Sequence, residues 1–152
     1  LYATAAVALT LGSGVVIQQF AKKWDDPHSA RGVLVALYAS LVGLGLMIVT
    51  LTLQNPWVGL LGCVVLGSGY GLMLVGGLLE TQRIAPPNQL GALTGVYYTY
   101  AYLGYLAPTV LSFLALWFSE SSLIGVLIAL CIWSIVVVSI NSRKHLHDTA
   151  TP

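Results

Sequence analysis

The sequence predicts an all-α, polytopic transmembrane helix bundle of about five spans, and three observations carry this prediction. First, residues 32–79 contain no Asp, Glu, Lys or Arg, and the same is true of residues 1–21, 84–119 and 121–142. Second, 57% of the residues are hydrophobic and 7% are charged, whereas soluble domains carry about 25% charged residues. Third, the apolar runs lack the strict alternation that a membrane β-barrel needs. The surroundings of the chain are therefore predicted to be mostly lipid.

The spans follow from the thickness of a bilayer. A helix needs about 20 apolar residues to cross the hydrocarbon core, because each residue rises about 1.5 Å through about 30 Å. The spans are predicted at residues 1–20, 33–53, 57–79, 90–117 and 123–140, followed by a tail at residues 141–152. Because the connections between the spans are short, one transmembrane domain is predicted to cover residues 1–152. The chain starts at Leu1 rather than Met, without a charged leader and already in an apolar run, so the sequence is interpreted as truncated at its N-terminus. At least one further helix is expected before Leu1.

The basic residues predict one orientation. All 6 Lys and Arg residues follow the first, third or fifth span, and by the positive-inside rule those connections are cytoplasmic. The C-terminus is therefore predicted to be cytoplasmic, and the protein is expected in a plasma (inner) membrane. The sequence has no basic patch of the kind that predicts nucleic-acid binding. It also has no CxxC motif or Cys/His cluster, so no metal or cofactor is predicted. The spans also lack the paired catalytic residues of an intramembrane enzyme, so no enzymatic activity is predicted.

Small residues mark the third and fourth spans. The third span is rich in glycine, which weakens a helix by about 1 kcal/mol per residue relative to alanine, so close packing or hinging is expected there. Gly67 and Gly71 form a small-xxx-small pair of the kind that lets two membrane helices approach. In the fourth span, Pro108 removes a backbone hydrogen bond close to Gly104, and a kink is predicted there.

The fourth span carries a polar stripe. At 100° per residue, six of the hydroxyl-bearing side chains of this span fall within one sector of about 80°. The members of this stripe are Thr94, Tyr98, Tyr102, Tyr105, Thr109 and Ser112. A hydroxyl that faces lipid lacks a strong partner, so the stripe is expected to face protein or a water-filled cavity. Two interpretations stay open: the tyrosines hydrogen-bond to neighbouring helices and hold the bundle together, or, with Tyr70 of the third span, they line a solute cavity.

Glu80 ends the third span at the predicted cytoplasmic edge. It is either a solvated carboxylate at a helix end or one member of an ion pair that latches a cytoplasmic gate. The candidate partners are Lys22, Lys23, Arg31 and Arg83. No predicted span contains an ionisable Asp, Glu, His, Lys or Arg at mid-membrane, so this chain offers no predicted proton carrier.

Two segments resemble the major facilitator superfamily of secondary transporters. The stretch ETQRIAPPNQLGALTGVYYTYAYLGYLAPTVLSFL at residues 80–114 is similar to the connection between the tenth and eleventh helices of that family. The stretch GSGVVIQQFAKKWDDPHSARGVL at residues 12–34 is similar to the basic loop after its eighth helix. The resemblance implies that the five spans are helices eight to twelve of a twelve-helix transporter, whose other helices precede Leu1.

The same resemblance implies a mechanism and a site. The first, third and fourth spans would line the cavity, and two halves of the transporter would rock around a midplane site to give alternating access. Tyr98, Tyr102 and Tyr105 would form one wall of the site, and Glu80 with the nearby basic residues would belong to the inner gate.

The predicted function is therefore part of a secondary transporter for a small solute. A tyrosine wall without fixed charge suits a neutral or amphipathic solute better than a phosphate or a dicarboxylate. The expected partners are the lipid bilayer, the N-terminal helices of the same transporter and the solute. The alternative is a structural membrane subunit without transport activity, which packs against its partners through the Gly and Tyr helices.

Overall fold

The computed structural model describes the backbone of residues 1–24 and 31–148 and the side chains of residues 1–21 and 31–140. Within these residues the chain forms six helices and no strand, which confirms the all-α prediction. The helices are α1 (Tyr2–Trp24), α2 (Arg31–Leu53), α3 (Pro56–Ile84), α4 (Leu90–Gly104), α5 (Ala107–Leu114) and α6 (Glu120–Asp148).

Four of these helices are long and apolar enough to cross a membrane. They contain the segments Tyr2–Ala21, Arg31–Leu53, Pro56–Ile84 and Glu120–Ile140. Large apolar side chains cover their outer surfaces, as Val42, Leu61 and Trp133 illustrate with exposed fractions of 58%, 55% and 70%. Exposed apolar surface on this scale is unfavourable in water. The lengths of the four helices and their apolar surfaces support a membrane protein.

The fourth predicted span, residues 90–117, is not one helix. α4 ends at Gly104, α5 begins at Ala107, and the two intervening amides bond to carbonyl oxygens three residues back at 3.0 Å. Pro108 explains the break, because it has no N–H to donate to the carbonyl of Gly104 and its ring crowds the preceding turn. At about 1.5 Å per residue, the length of α4 is only about 22 Å, less than the hydrocarbon core. The single span is thus replaced by two shorter helices.

Local sequence explains both ends of α3. The side-chain oxygen of Asn55 accepts a hydrogen bond from the backbone N–H of Trp57 at 3.0 Å and caps the helix, and Pro56 occupies its first turn, where a missing N–H is tolerated. At the other end, Ala85 is extended, with ψ of 127°. Ala85 precedes Pro86, and the proline ring disfavours helical geometry in the residue before it. The cap at Asn55 and the proline at position 56 therefore mark the start of α3, and Pro86 marks its end.

α3 is the central helix of the bundle. It packs against α1, α2 and α4, whereas α6 packs against α2. The hydroxyl of Tyr2 donates to the carbonyl oxygen of Pro56 at 3.1 Å, so α1 and α3 begin at the same end of the bundle and run parallel. The thiol of Cys131 lies 3.4 Å from the carbonyl oxygen of Leu37 and links α6 to α2.

The buried core is small and lies where α1, α2 and α3 meet. Ala21, Ala36 and Leu72 are buried there, with Ile17, Met73 and Val75 packed against them. Among the residues whose side chains are described, no polar or charged residue is buried. Such a core leaves most of the apolar surface outside the bundle, as expected where lipid rather than water surrounds the helices.

Two glycines of α3 bring its backbone against α1. A Cβ atom built on Gly67 would collide with the carbonyl oxygen of Thr10, and one built on Gly71 would collide with the carbonyl oxygen of Gly14. The obstacle is backbone in both cases, so no side-chain movement could relieve it. The absence of a side chain at Gly67 and Gly71 is therefore what allows α1 and α3 to approach this closely.

A second set of glycines faces α2. Gly62, Gly69 and Gly76 lie seven residues apart, which is about two helical turns and places them on one side of α3. A Cβ atom at Gly62 would lie 3.0 Å from the methyl carbon of Met47, and one at Gly69 would lie 2.6 Å from the hydroxyl oxygen of Ser40. At Gly76 the nearest atom would be α2 backbone at 3.4 Å. Gly67 and Gly71 thus face α1, whereas Gly62, Gly69 and Gly76 face α2.

Candidate functional site

Four tyrosines form a continuous row, here called the tyrosine row: Tyr98 and Tyr102 of α4, Tyr105 directly after α4, and Tyr70 of α3. The ring centroids of Tyr98 and Tyr102 are 6.2 Å apart with planes inclined at 28°, and those of Tyr102 and Tyr105 are 6.2 Å apart at 29°. Tyr105 meets the ring of Tyr70 edge-on, with centroids 6.1 Å apart. Residues spaced by three or four positions share one face of a helix, and Tyr70 extends this face from α4 onto α3.

The tyrosine row lies on the surface of the described part of the chain. Tyr98, Tyr102 and Tyr105 are 41%, 66% and 56% exposed, and Tyr70 is 37% exposed. Their rings are thus reachable from one side, and each presents an apolar face with a hydroxyl at its tip. Such a surface can bind a solute through ring stacking and through neutral hydrogen bonds.

The two threonines of the predicted stripe lie on either side of the row. Thr94 is half-buried on α4, and Thr109 is exposed on α5, beyond the helix break. Ser112 is exposed as well, and its hydroxyl donates to the carbonyl oxygen of Pro108 at 2.8 Å within α5. The helix break therefore divides the predicted stripe into the tyrosines up to Tyr105 and a polar end on α5.

Tyr97 joins α4 to α3. Its hydroxyl donates to the carbonyl oxygen of Leu74 at 2.8 Å and lies 3.3 Å from that of Met73. A Cβ atom at Gly77 would lie 3.0 Å from the Tyr97 ring. The ring of Tyr97 meets that of Tyr98 edge-on at 5.7 Å. The helical periodicity assigns Tyr97 to packing, outside the polar stripe, and gives no sign of this anchoring contact.

Glu80 and Arg83, two of the predicted gate residues, lie near the C-terminal end of α3. Glu80 and Arg83 form an ion pair of 2.7 Å within one turn of the helix, with side chains 39% and 30% exposed. Arg31 begins α2 at the same end. The side chains of Lys22 and Lys23 lie outside the described residues. Glu80 is therefore paired with Arg83, which is one of its four candidate partners.

A small cavity of about 40 Å³ lies between the start of α2 and the C-terminal half of α3. Leu72, Val75 and Leu79 of α3, Val35 of α2 and Arg31 at its edge contribute to the lining. The walls are mainly apolar, and the volume suits one or two water-sized molecules rather than a solute. This cavity lies at the predicted cytoplasmic side of the bundle.

The tyrosine row itself contains no charged side chain. Among the residues whose side chains are described, no group of three or more His, Cys, Asp or Glu is placed to hold a metal ion. The free thiols of Cys63 and Cys131 are half-buried on α3 and α6. The tyrosine row offers hydroxyl groups and aromatic rings, and the charged pair at Glu80 and Arg83 lies at the end of α3 rather than within the row.

No family model, curated protein or solved structure gives a significant match to this chain.

Proposed function

We propose that this chain is part of a secondary active transporter that resembles the major facilitator superfamily and moves a small, neutral or amphipathic solute by alternating access. The single observation that carries the proposal is the tyrosine row. It is a connected, uncharged and accessible set of aromatic rings with hydroxyl groups, on a helix that packs against the glycine-rich centre of a bundle with four candidate membrane spans.

The exposure of the tyrosine row supports its interpretation as the wall of a cavity at the surface of this bundle, rather than as part of the bundle interior. Tyr102 and Tyr105 stand more than half exposed, although a phenolic hydroxyl facing lipid would lack a strong partner. A water-filled cavity shared with further helices of the same transporter would satisfy these hydroxyl groups. The other partners are then the bilayer of a plasma (inner) membrane and the solute.

The chemistry of the row favours a solute without multiple charges. A phosphate or a dicarboxylate would need cationic partners on leaving water, and the row offers none. Tyrosine rings instead provide apolar contact area and hydrogen-bonding tips. A neutral or amphipathic small molecule can use both.

The helix contacts of α3 support motion about this site. Close backbone contacts at Gly67 and Gly71 hold α3 against α1, whereas the helix break before Pro108 separates α4 from α5. Proline breaks of this kind in membrane helices are tolerated where neighbouring groups or water satisfy the backbone. In the proposed mechanism, Gly104 and Pro108 form a hinge at one end of the row, and Glu80 and the basic residues around it form the inner gate at the other.

The test is the water accessibility of the row in the full-length protein in its native membrane. Tyr98→Cys and Tyr102→Cys are introduced into a Cys63→Ala, Cys131→Ala background and treated with a membrane-impermeant maleimide. Tyr100→Cys is the matched control, because Tyr100 is 71% exposed on α4 but lies on the opposite side of the helix from the row. We expect labelling at positions 98 and 102 and little at 100.

The alternative function, a structural subunit without transport activity, predicts a different result. If the row only packs against membrane partners, positions 98 and 102 should resist the impermeant reagent as position 100 does. Transport of a multiply charged anion that is unchanged by Tyr98→Ala and Tyr102→Ala would also contradict the assignment of the row to the solute site.

A further inference from the structure

Tyr97 occupies a notch in α3 that the adjacent tyrosines do not reach. Its hydroxyl donates to the carbonyl oxygen of Leu74 at 2.8 Å and approaches that of Met73 at 3.3 Å, while its ring covers Gly77. Both carbonyls lie inside α3, where a carbonyl oxygen has a second lone pair beyond the one that the helical hydrogen bond uses. The phenol therefore binds to α3 without breaking its helix.

The hydrogen bond of Tyr97 to α3 differs from the other side-chain hydrogen bonds of α4. Among the described residues of α4, only Tyr97 has a side chain that hydrogen-bonds to another helix; Thr99, for comparison, donates to the carbonyl oxygen of Gly95 within α4 at 2.9 Å. The glycine at position 77 is part of the same fit, because a Cβ atom there would lie 3.0 Å from the ring and its hydroxyl. Tyr97 and Gly77 thus form one specific contact between α4 and α3.

The contact is also joined to the tyrosine row. The ring of Tyr97 meets that of Tyr98 edge-on at 5.7 Å, and from Tyr98 the row runs through Tyr102 and Tyr105 back to Tyr70 on α3. α4 is therefore attached to α3 at Tyr97 and touches it again through the Tyr105–Tyr70 ring pair. Because successive helix residues are separated by about 100°, anchoring Tyr97 fixes the direction in which Tyr98 and Tyr102 point.

We propose that Tyr97 is the positioning residue of the tyrosine row: its hydroxyl, seated on the α3 carbonyls beside Gly77, sets the rotation and register of α4 and so places the row against the solute path. This inference rests on the proposed transport function for its consequence, but the contact can be tested separately. Tyr97 itself points into the notch and away from the solute, so it acts through the adjacent residues.

The first measurement uses crosslinking to test the register between α3 and α4, and it does not depend on the water accessibility of the row. In the full-length protein, with Cys63 and Cys131 replaced by Ala, Tyr70→Cys and Tyr105→Cys are combined and treated with a short, membrane-permeant bifunctional thiol reagent. We expect efficient crosslinking with Tyr97 present and a loss of about threefold to tenfold in crosslinking rate with Tyr97→Phe, the range that a membrane hydrogen bond of moderate strength supports. An unchanged rate would overturn the inference.

The second measurement follows the direction of the row. The ratio of impermeant-maleimide labelling at Tyr102→Cys to that at Tyr100→Cys should fall by a similar factor when Tyr97→Phe is added, because α4 then loses the hydrogen bond that fixes its rotation. A purely structural role for Tyr97 would lower the amount of folded protein and leave this ratio constant. Tyr100→Phe, tested against Tyr102→Cys alone, is the control for loss of a hydroxyl from α4 and should change neither crosslinking nor labelling of position 102.

A second variant keeps the test decisive if Tyr97→Phe does not accumulate. Gly77→Ala retains the hydroxyl but places a methyl group against the Tyr97 ring, and we expect the same fall in crosslinking. Its control is Gly95→Ala on α4, where an added Cβ meets nothing within 4 Å. Equal crosslinking in both glycine variants would overturn the inference, whereas no labelling of positions 98 and 102 with Tyr97 intact would instead overturn the proposed function.

Discussion

Gly14 and Gly71 face each other where α1 and α3 cross, and a Cβ atom on Gly71 would collide with the carbonyl oxygen of Gly14. One turn earlier on α3, Gly67 lies in the same way against Thr10. The two helices thus meet backbone to backbone, an arrangement that brings many atoms into van der Waals contact where lipid removes the usual hydrophobic driving force.

Replacing Gly67 with alanine should destabilise the bundle. The added methyl group would overlap the carbonyl of Thr10, and relief requires α1 and α3 to separate, so we expect a loss of about 1–3 kcal/mol in the free energy of unfolding. Gly12→Ala is the matched control, because a Cβ atom at Gly12 of α1 meets nothing within 4 Å. Thermal unfolding of the detergent-solubilised protein distinguishes the two, and equal midpoints would contradict the assigned contact.

Gly43 on α2 should behave differently from Gly67, because a side chain rather than a carbonyl lies against it. A Cβ atom there would lie 2.6 Å from Cγ of Leu66. Gly43→Ala should therefore destabilise the protein, and adding Leu66→Ala should recover part of that loss, with a coupling energy of about 0.5–3 kcal/mol in a double-mutant cycle. Simple additivity of the two unfolding free energies would show that the residues do not meet.

Glu80→Gln should change stability little. The pair with Arg83 spans one turn and both side chains are about a third exposed, and exposed pairs of this kind contribute about 0–1 kcal/mol. Thermal unfolding measures this effect, and transport rate is measured on the same variant. A fall in transport at unchanged stability would support a role in the inner gate, whereas a stability loss above about 2 kcal/mol would contradict the solvated geometry.

Pro108→Ala should make the break between α4 and α5 more helical. Alanine restores an N–H that can donate to the carbonyl of Gly104, so we expect slower hydrogen exchange of the amides at residues 104–108. Mass spectrometry of the exchanged protein provides the measurement. Pro87→Ala, in the connection before α4, is the control and should leave these amides unchanged; equal exchange in wild type and Pro108→Ala would mean that another residue causes the break.

The orientation predicted from the basic residues can be checked in intact cells. In the cysteine-free background, Ser121→Cys at the start of α6 should react with an impermeant thiol reagent added outside, because its connection carries no Lys or Arg. Asn88→Cys, in the connection after Arg83, should react only after the cells are permeabilised. The reverse pattern would invert the topology.

Much of the fold could be predicted because its causes are local. The length of the uncharged runs gives the four long helices, and the residues Asn55, Pro56 and Pro86 mark the ends of α3 within the chain itself. The fourth span shows the limit. Pro108 predicts a kink, but whether the chain bends or ends a helix there depends on how many backbone bonds survive around it.

The sequence predicts which helix face carries the candidate site, but it does not predict how that face contacts α3. Helical periodicity places Tyr98, Tyr102 and Tyr105 on one side of the predicted fourth span. It does not connect them to Tyr70, which lies on another helix, nor does it indicate that Tyr97 binds the α3 carbonyls. Pairings of this kind depend on the rotation and offset of two helices, and the hydrophobic pattern of a helix surrounded by lipid constrains both weakly.

The sequence by itself determined that this protein is helical, apolar and equipped with a stripe of uncharged tyrosines, because each of these properties depends on neighbouring residues and helical period. Only the tertiary structure decided that α3 is the centre, that Gly67 and Gly71 face α1 while Gly62 and Gly69 face α2, and that Tyr97 is anchored beside Gly77. The reason is physical: glycine has no side chain to indicate its partner in advance, so the opposing backbone or ring identifies the contact.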